Sequence, residues 1–256
     1  MNQAHLSGCD LLVISPHTDD LEIGLGGTVA MLAGKDRRVW ALDLTRGELG
    51  SNATPDERWE EAAAASAILG LSGRVQLELP DGFINPQDAG QAAQVAVVVR
   101  RLRPRWVITA PDPVRHPDHI ATPLLVGRAC HLARMANWRP KGGPGRIWPA
   151  GGDLPPAAER WETEAVFGVC SDGDRPTFVF DVSATWDRKL EAMACYKSQF
   201  ERDDRRLPTA INDPGFLEKI ERRGKTWGQR AGVEYGEAIA GSAAGVVTDL
   251  PDQEWR

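Results

Sequence analysis

The sequence predicts an α/β protein: a mostly parallel sheet carrying helices, followed by a C-terminal strand and helix extension. Three observations predict it. Between residues 11 and 135 short apolar runs alternate with helical stretches, the order that winds a parallel sheet by right-handed crossovers. Beyond residue 160 two strand-like runs are followed by two helical ones. The chain has 256 residues, 42% hydrophobic and 26% charged, close to the globular average and long enough for one large α/β domain or two small ones.

Each element has its own signal. Leu11–Ile14 is compact, partly β-branched and stopped by Pro16, which reads as a buried strand. Thr28–Leu32 reads as a helix lying against it, and Arg38–Leu44 as a second strand, followed by the polar loop 46–53. Thr54-Pro55-Asp56-Glu57 supplies an N-cap, proline at the first helical position and Glu at the third, so a capping-box helix runs to Leu69 and stops at Gly70. Val75–Leu79 is a third strand, Asp88–Leu102 a helix closed by Pro104, Trp106–Thr109 a fourth strand and Ile120–Met135 a helix. Residues 138–160 are rich in Gly and Pro and too long for an ordinary connection, which suits a lid or a disordered insertion. Glu164–Val169 and Thr177–Val182 read as strands, Asp187–Phe200 and Pro214–Gly228 as helices, and the stretch from Ala240 as a frayed tail. The expected organisation is one domain: a core over 1–137, the loop 138–160, a second part over 161–240, and a tail over 241–256.

Composition narrows the function classes. A net charge of −6 argues against a nucleic-acid-binding surface. No apolar run approaches the ~20 residues of a membrane span, and no basic stretch precedes the first apolar run, so neither a membrane anchor nor a signal peptide is expected. The four cysteines, Cys9, Cys130, Cys170 and Cys195, are scattered without a CxxC pair, as in a cytoplasmic protein with reduced thiols.

In open α/β sheets chemistry sits beyond the carboxyl ends of the strands. His17, Asp19 and Asp20 follow the first strand there, ahead of Gly24, Gly26 and Gly27. On this stretch alone two readings stand. The aspartates cap a helix beside a turn histidine, or His17 and Asp20, at i and i+3, point to one metal centre while Asp19 stays spare as a proton acceptor. His116-Pro117-Asp118-His119 follows the fourth strand at the same sheet edge, so three of the five histidines lie in two predicted loops. His119 can complete a His–Asp–His set, and His116 can stabilise an oxyanion or give a proton to a leaving amine. Asp118 as a plain helix cap is the alternative. His5 and His131 read as surface or helix residues.

PHTDD and GLGG, followed about a hundred residues later by HPDH, resemble the LmbE/PIG-L family of zinc-dependent N-deacetylases. The resemblance spans most of residues 10–135. It implies a Rossmann-like fold with helices on both faces of the sheet and removal of acetyl groups from N-acetylglucosamine conjugates. By position it implies zinc on His17, Asp20 and His119 (Fe2+ being the other metal such ligands suit), Asp19 as general base, and His116 stabilising the tetrahedral intermediate. Thr18 stands where the family usually has proline. A narrower likeness, in DLTRGELGSNATPDERWEEA, LPDGF, RHPDH, YKSQF and EYGEA, is to the bacillithiol-biosynthesis deacetylases, which act on N-acetylglucosaminyl-malate. It implies that Arg58 binds sugar hydroxyls, the alternative being a helix-face arginine paired with Glu57 or Glu61. Arg46, Arg115 and Lys197 are candidates for the malate carboxylates, and Tyr196 and Gln199 lie on a predicted helix. The partners implied are a small-molecule glycoside and further copies of the chain, a homo-oligomer, with no nucleic acid and no membrane.

Competing readings are weaker. A dinucleotide fingerprint needs a third glycine where Val29 stands. A non-haem iron oxygenase shares the ligand types but has no use for a spare Asp19. A non-catalytic sugar-binding relative would have lost Asp19. Nearer alternatives are deacetylases or amidases of inositol-linked (mycothiol-type), thiol-conjugate or chitooligosaccharide substrates.

Overall fold

A computed structural model describes residues 8–109, 116–139, 145–149, 159–171, 173–202, 204 and 206–241. Its centre is β1, Leu11–Ser15, buried at every position. β1 pairs in parallel with β2 (Val39–Thr45) on one side and β4 (Trp106–Thr109) on the other. A strand covered on both faces needs an apolar run rather than alternation, and LLVI is one. β3 (Gly73–Leu79) extends the sheet beyond β2, and β6 (Ala165–Val169) extends it beyond β4, both in parallel. The strand order therefore reverses between β1 and β4. That is the switch point where a parallel sheet opens a crevice at its carboxyl edge.

Helices cover both faces. α3 (Ala89–Leu102) and α4 (Pro117–Arg134) bring Val95, Val98 and Leu125 onto Leu12, Ile14, Leu42 and Val75. α1 (Asp20–Ala33) and α2 (Pro55–Leu69) bring Leu25, Val29, Ala65 and Leu69 onto Leu11, Val13, Val39 and Ala41. Antiparallel strands finish the edges: β5 (Arg146–Trp148) on β3, β8 (Gly236–Ala240) on β6, and β7 (Phe178–Asp181) on β8. The eight-stranded order is β5-β3-β2-β1-β4-β6-β8-β7. α5 (Trp186–Ala194), α6 (Lys197–Phe200) and α7 (Gly215–Ala231) belong to the C-terminal part.

Several expectations shift. α1 begins at Asp20 and contains the glycines, which lets another segment come close: a Cβ on Gly27 would lie 2.7 Å from Val182 Cβ. α4 begins at Pro117, not Ile120, because Pro117 takes the first helical position and His116 is the N-cap, its Nδ1 accepting from Asp118 N at 3.3 Å. The helix expected over 187–200 breaks at Tyr196 into α5 and α6. Within the segment 138–160, residues 146–148 form β5; residues 140–144 and 150–158 lie outside the described residues, as do 242–256. β8 was not expected. Its Glu237 reaches across to α1, where its carboxylate accepts from Gly27 N at 3.1 Å and Thr28 N at 2.7 Å and pairs with Lys189 Nζ at 2.6 Å.

Candidate active site

The chain leaves β1 at Ser15 and enters α1 at Asp20, so residues 16–19 form a short turn at the switch point. The turn is pinned early: Asp20 Oδ2 accepts from His17 N at 3.0 Å. That bond folds the side chains of His17 and Asp20 to one side, and their Nδ1 and Oδ2 atoms stand 3.2 Å apart. α4 then brings in the second motif. Because His119 lies in its first turn rather than in a loop, its ring points across the crevice, with Nε2 3.3 Å from Asp20 Oδ1. His17, Asp20 and His119 are buried, and each offers one ligand atom within 4.8 Å of the others.

The other ring nitrogen of His17 faces carboxylates that sequence reasoning missed. Nε2 is 3.1 Å from Asp81 Oδ1 and 3.6 Å from Asp118 Oδ2. Both carboxylates are held by backbone. Asp118 accepts from Gly82 N at 2.7 Å and Ile84 N at 3.1 Å, and Asp81 accepts from Leu49 N at 2.9 Å. A carboxylate on the far nitrogen of an imidazole is the usual support of a metal-binding histidine, fixing its tautomer and orientation. His17, Asp81, His116 and Asp118 form a second set within reach of one centre. Both oxygens of Asp118 are committed to backbone N–H groups, whereas Asp20 keeps Oδ1, facing His119, free of backbone bonds, so the His17–Asp20–His119 set fits a divalent cation better. Asp81 and Asp118 were legible only as a loop residue in LPDGF and a helix cap in HPDH.

The electrostatics suit a cation at Asp20, whereas at His17 they favour a protonated imidazole that a bound cation would have to deprotonate. Burial alone would raise the Asp20 carboxyl, but the charge of His119 and the hydrogen bond from His17 hold it at about 2, so it is ionised. Burial works against a charged His17, yet hydrogen bonds to Asp118, Asp20 and Asp81 outweigh it and carry the imidazole well above 6.5. His116, half-buried with its ring centroid 4.7 Å from that of His17, is lowered by burial and by the charge of His17.

Asp19 turns away from Asp20. Its Oδ1 accepts from Arg58 Nη2 at 3.2 Å, while Oδ2 is buried without a hydrogen-bond partner among the described residues. Arg58 is buried at 5% exposure and also reaches the Gly47 carbonyl at 3.4 Å, so it is neither a solvated helix-face residue nor paired with Glu57 or Glu61. Those residues have other partners: Glu57 closes the capping box on Thr54, and Glu61 accepts from Ser198 N and Oγ at 2.7 and 2.6 Å. Arg46 turns toward Asp56, 3.7 Å away. Lys197 opens α6. Arg115 lies outside the described residues, as does His5. Beneath the turn, Tyr196 Oη and Arg74 Nη2 both donate to the Thr18 carbonyl. Neither contact could be read locally, since they join residues 178 and 56 positions apart.

Comparison with known proteins adds to this geometry. Residues 12–130 match the family model described as PIG-L, GlcNAc-PI de-N-acetylase. The chain is 29% identical to a diacetylchitobiose deacetylase of Thermococcus kodakarensis over 75% of this chain and 71% of that one. It is 26% identical to a 1D-myo-inositol 2-acetamido-2-deoxy-alpha-D-glucopyranoside deacetylase of Rhodococcus jostii, over 74% of this chain and 81% of that one. It is 27% identical to a Bacillus cereus protein named "Probable N-acetyl-alpha-D-glucosaminyl L-malate deacetylase 2", over 75% and 84%. Among solved structures it is similar to a conserved protein of Thermus thermophilus, with 34% identity and a TM-score of 0.77 over 96% of this chain and 100% of that one.

Proposed function

We propose, from the match of residues 12–130 to the PIG-L (LmbE) family model, that the chain is a member of that family and a metal-dependent deacetylase of N-acetylglucosamine conjugates. The observation that carries the proposal is the convergence of His17, Asp20 and His119 beside the buried Oδ2 of Asp19, which has no hydrogen-bond partner among the described residues. The names of three relatives, for chitobiose, inositol and malate conjugates, support the substrate class.

His17, Asp20 and His119 would hold the ion, with zinc the reading the donor set favours and ferrous iron the second. When bound, such an ion polarises a carbonyl and acidifies a water molecule. Asp19 takes the proton of the attacking water on Oδ2 and passes it to the departing amine. Arg58 holds Oδ1, which leaves Oδ2 as the oxygen for proton transfer. His116, at the rim of the site, donates to the oxyanion as the tetrahedral centre forms. Asp81 and Asp118 hold the His17 ring in place.

The finer reading is N-acetylglucosaminyl-malate as substrate, in bacillithiol biosynthesis. It rests on the TRGELGS, LPDGF and YKSQF stretches and on the Bacillus cereus relative. Arg46 and Arg115 are then the cations for the malate carboxylates, and Arg58 also meets the sugar. We place the protein in the cytoplasm as one domain that assembles with copies of itself. Among the described residues no helix is long and apolar enough to cross a membrane.

Release of free amine from the malate, inositol and chitobiose conjugates by zinc-loaded protein tests both levels. A preference for the malate conjugate, lost in Asp19→Asn, supports the whole reading. Equal rates on all three keep the deacetylase and remove the malate assignment. No release from any of them, with zinc bound, overturns the substrate class.

A further inference from the structure

The Thr18 carbonyl belongs to the peptide between His17 and Asp19, the residues proposed as ligand and base. Tyr196 Oη donates to it at 2.5 Å, and Arg74 Nη2 donates to it as well. A carbonyl oxygen has two lone pairs, so both are occupied.

The two donors are themselves fixed from distant parts of the fold. Arg74, on β3, is fully buried, and its Nε and Nη2 form a fork on Asp43 of β2 at 2.6 and 2.9 Å. Its Nη1 reaches Glu22 of α1 at 2.8 Å and Ser66 of α2 at 3.4 Å. With the Thr18 bond, all five guanidinium N–H groups have acceptors. Tyr196 is fully buried at the break between α5 and α6. Two residues on, Ser198 is bound to Glu61 of α2 through both its N–H and its hydroxyl. The 16–19 turn lies outside any helix or strand; Thr45 holds its first carbonyl, that of Pro16, through N–H and hydroxyl, and Asp20 accepts from His17 N, which leaves the Thr18 carbonyl to the two side chains.

An arginine with two carboxylates is a costly way to fill space, since burying charge exacts desolvation that apolar packing avoids. Its geometry serves something else. We propose that Arg74 and Tyr196 are positioning residues: by clamping the Thr18 carbonyl they fix the turn that aims His17 and Asp20 at one centre and Asp19 toward Arg58. The inference rests on the deacetylase reading only for what the centre does, not for how it is held.

Tyr196→Phe tests it, because it removes one oxygen and keeps the ring packing. Zinc affinity is measured on the full chain without substrate, by chelator competition, together with kcat and KM. Loss of a supporting hydrogen bond around a metal centre lowers affinity or activity by about 10- to 100-fold, and that loss is expected here, in zinc affinity and kcat, with KM little changed. Arg74→Lys, which keeps the charge but loses the fork, is expected to lose zinc affinity in the same way. Val98→Ala, in the core on the opposite face of the sheet, is the control: it lowers the melting temperature and leaves zinc affinity as it was. Wild-type zinc affinity in Tyr196→Phe, or an equal loss in Val98→Ala, overturns the proposal. A wild-type protein that deacetylates nothing, whose Tyr196→Phe variant still loses zinc affinity, keeps the positioning role and drops the deacetylase reading.

Discussion

His17 uses both ring nitrogens, and the division decides what single substitutions do. Nδ1 faces Asp20, and Nε2 faces Asp81 and Asp118. His119→Ala and Asp20→Asn are expected to lose metal, as read by metal content after dialysis. Asp19→Asn is expected to keep metal and lose turnover by orders of magnitude, because only the free Oδ2 is needed for proton transfer. His116→Ala is expected to keep metal too. Equal metal loss in Asp19→Asn and Asp20→Asn would sink the division of roles. The pairing of His17 with Asp20 was legible because i and i+3 in a tight turn share a side. The carboxylates behind His17 are not, since Asp81 and Asp118 reach it only once the loop after β3 and the first turn of α4 have folded against each other.

Helices are readable where their signals are local. Thr54 Oγ1 accepts from Glu57 N at 3.3 Å while the Glu57 carboxylate accepts from Thr54 N at 2.7 Å, the reciprocal cap that the four-residue stretch announces. Thr54→Ala is expected to cost about 1 kcal/mol in urea unfolding. The pattern places the start of α4 three residues late because HPDH carries two messages at once, a ligand motif and a proline helix start, and the proline decides the backbone. The pattern starts α1 only after Gly27, because three glycines argue against a helix unless something packs closely against them. Val182 does, so Gly27→Ala is expected to overpack that contact and cost about 1–3 kcal/mol, measured by the same unfolding. β5 and β8 escaped notice because both are short antiparallel additions to a sheet whose other signals were long apolar runs.

Across the whole molecule the fold class, the parallel core and the edge where chemistry gathers were all written in the alternation of the first 135 residues. The layer of buried charge beneath that edge was not, because Arg74, Asp43 and Glu22 meet only through three elements. That layer gives stability a pH dependence. Burial raises Glu22 from 4.5 to about 7, against the pull of Arg74. A group whose folded pKa is raised contributes stability that is complete below 4.5 and is lost as pH rises through about 7. Asp20, lowered to about 2, works in the other direction, its contribution present above 3.8 and lost as pH falls through about 2. The urea midpoint of metal-free protein is therefore expected to decline between pH 4.5 and 7, and Glu22→Gln to flatten that decline. A different consequence follows from the carboxylate that β8 lays on the first helix. Glu237 lies 210 residues from Gly27, so during synthesis α1 leaves the ribosome long before its partner has been made. The nascent N-terminal half must wait with that seam open, exposed to chaperones and proteases, until β8 closes it. A chain ended after Gly232 is expected to remain sensitive to brief protease treatment where the full chain resists.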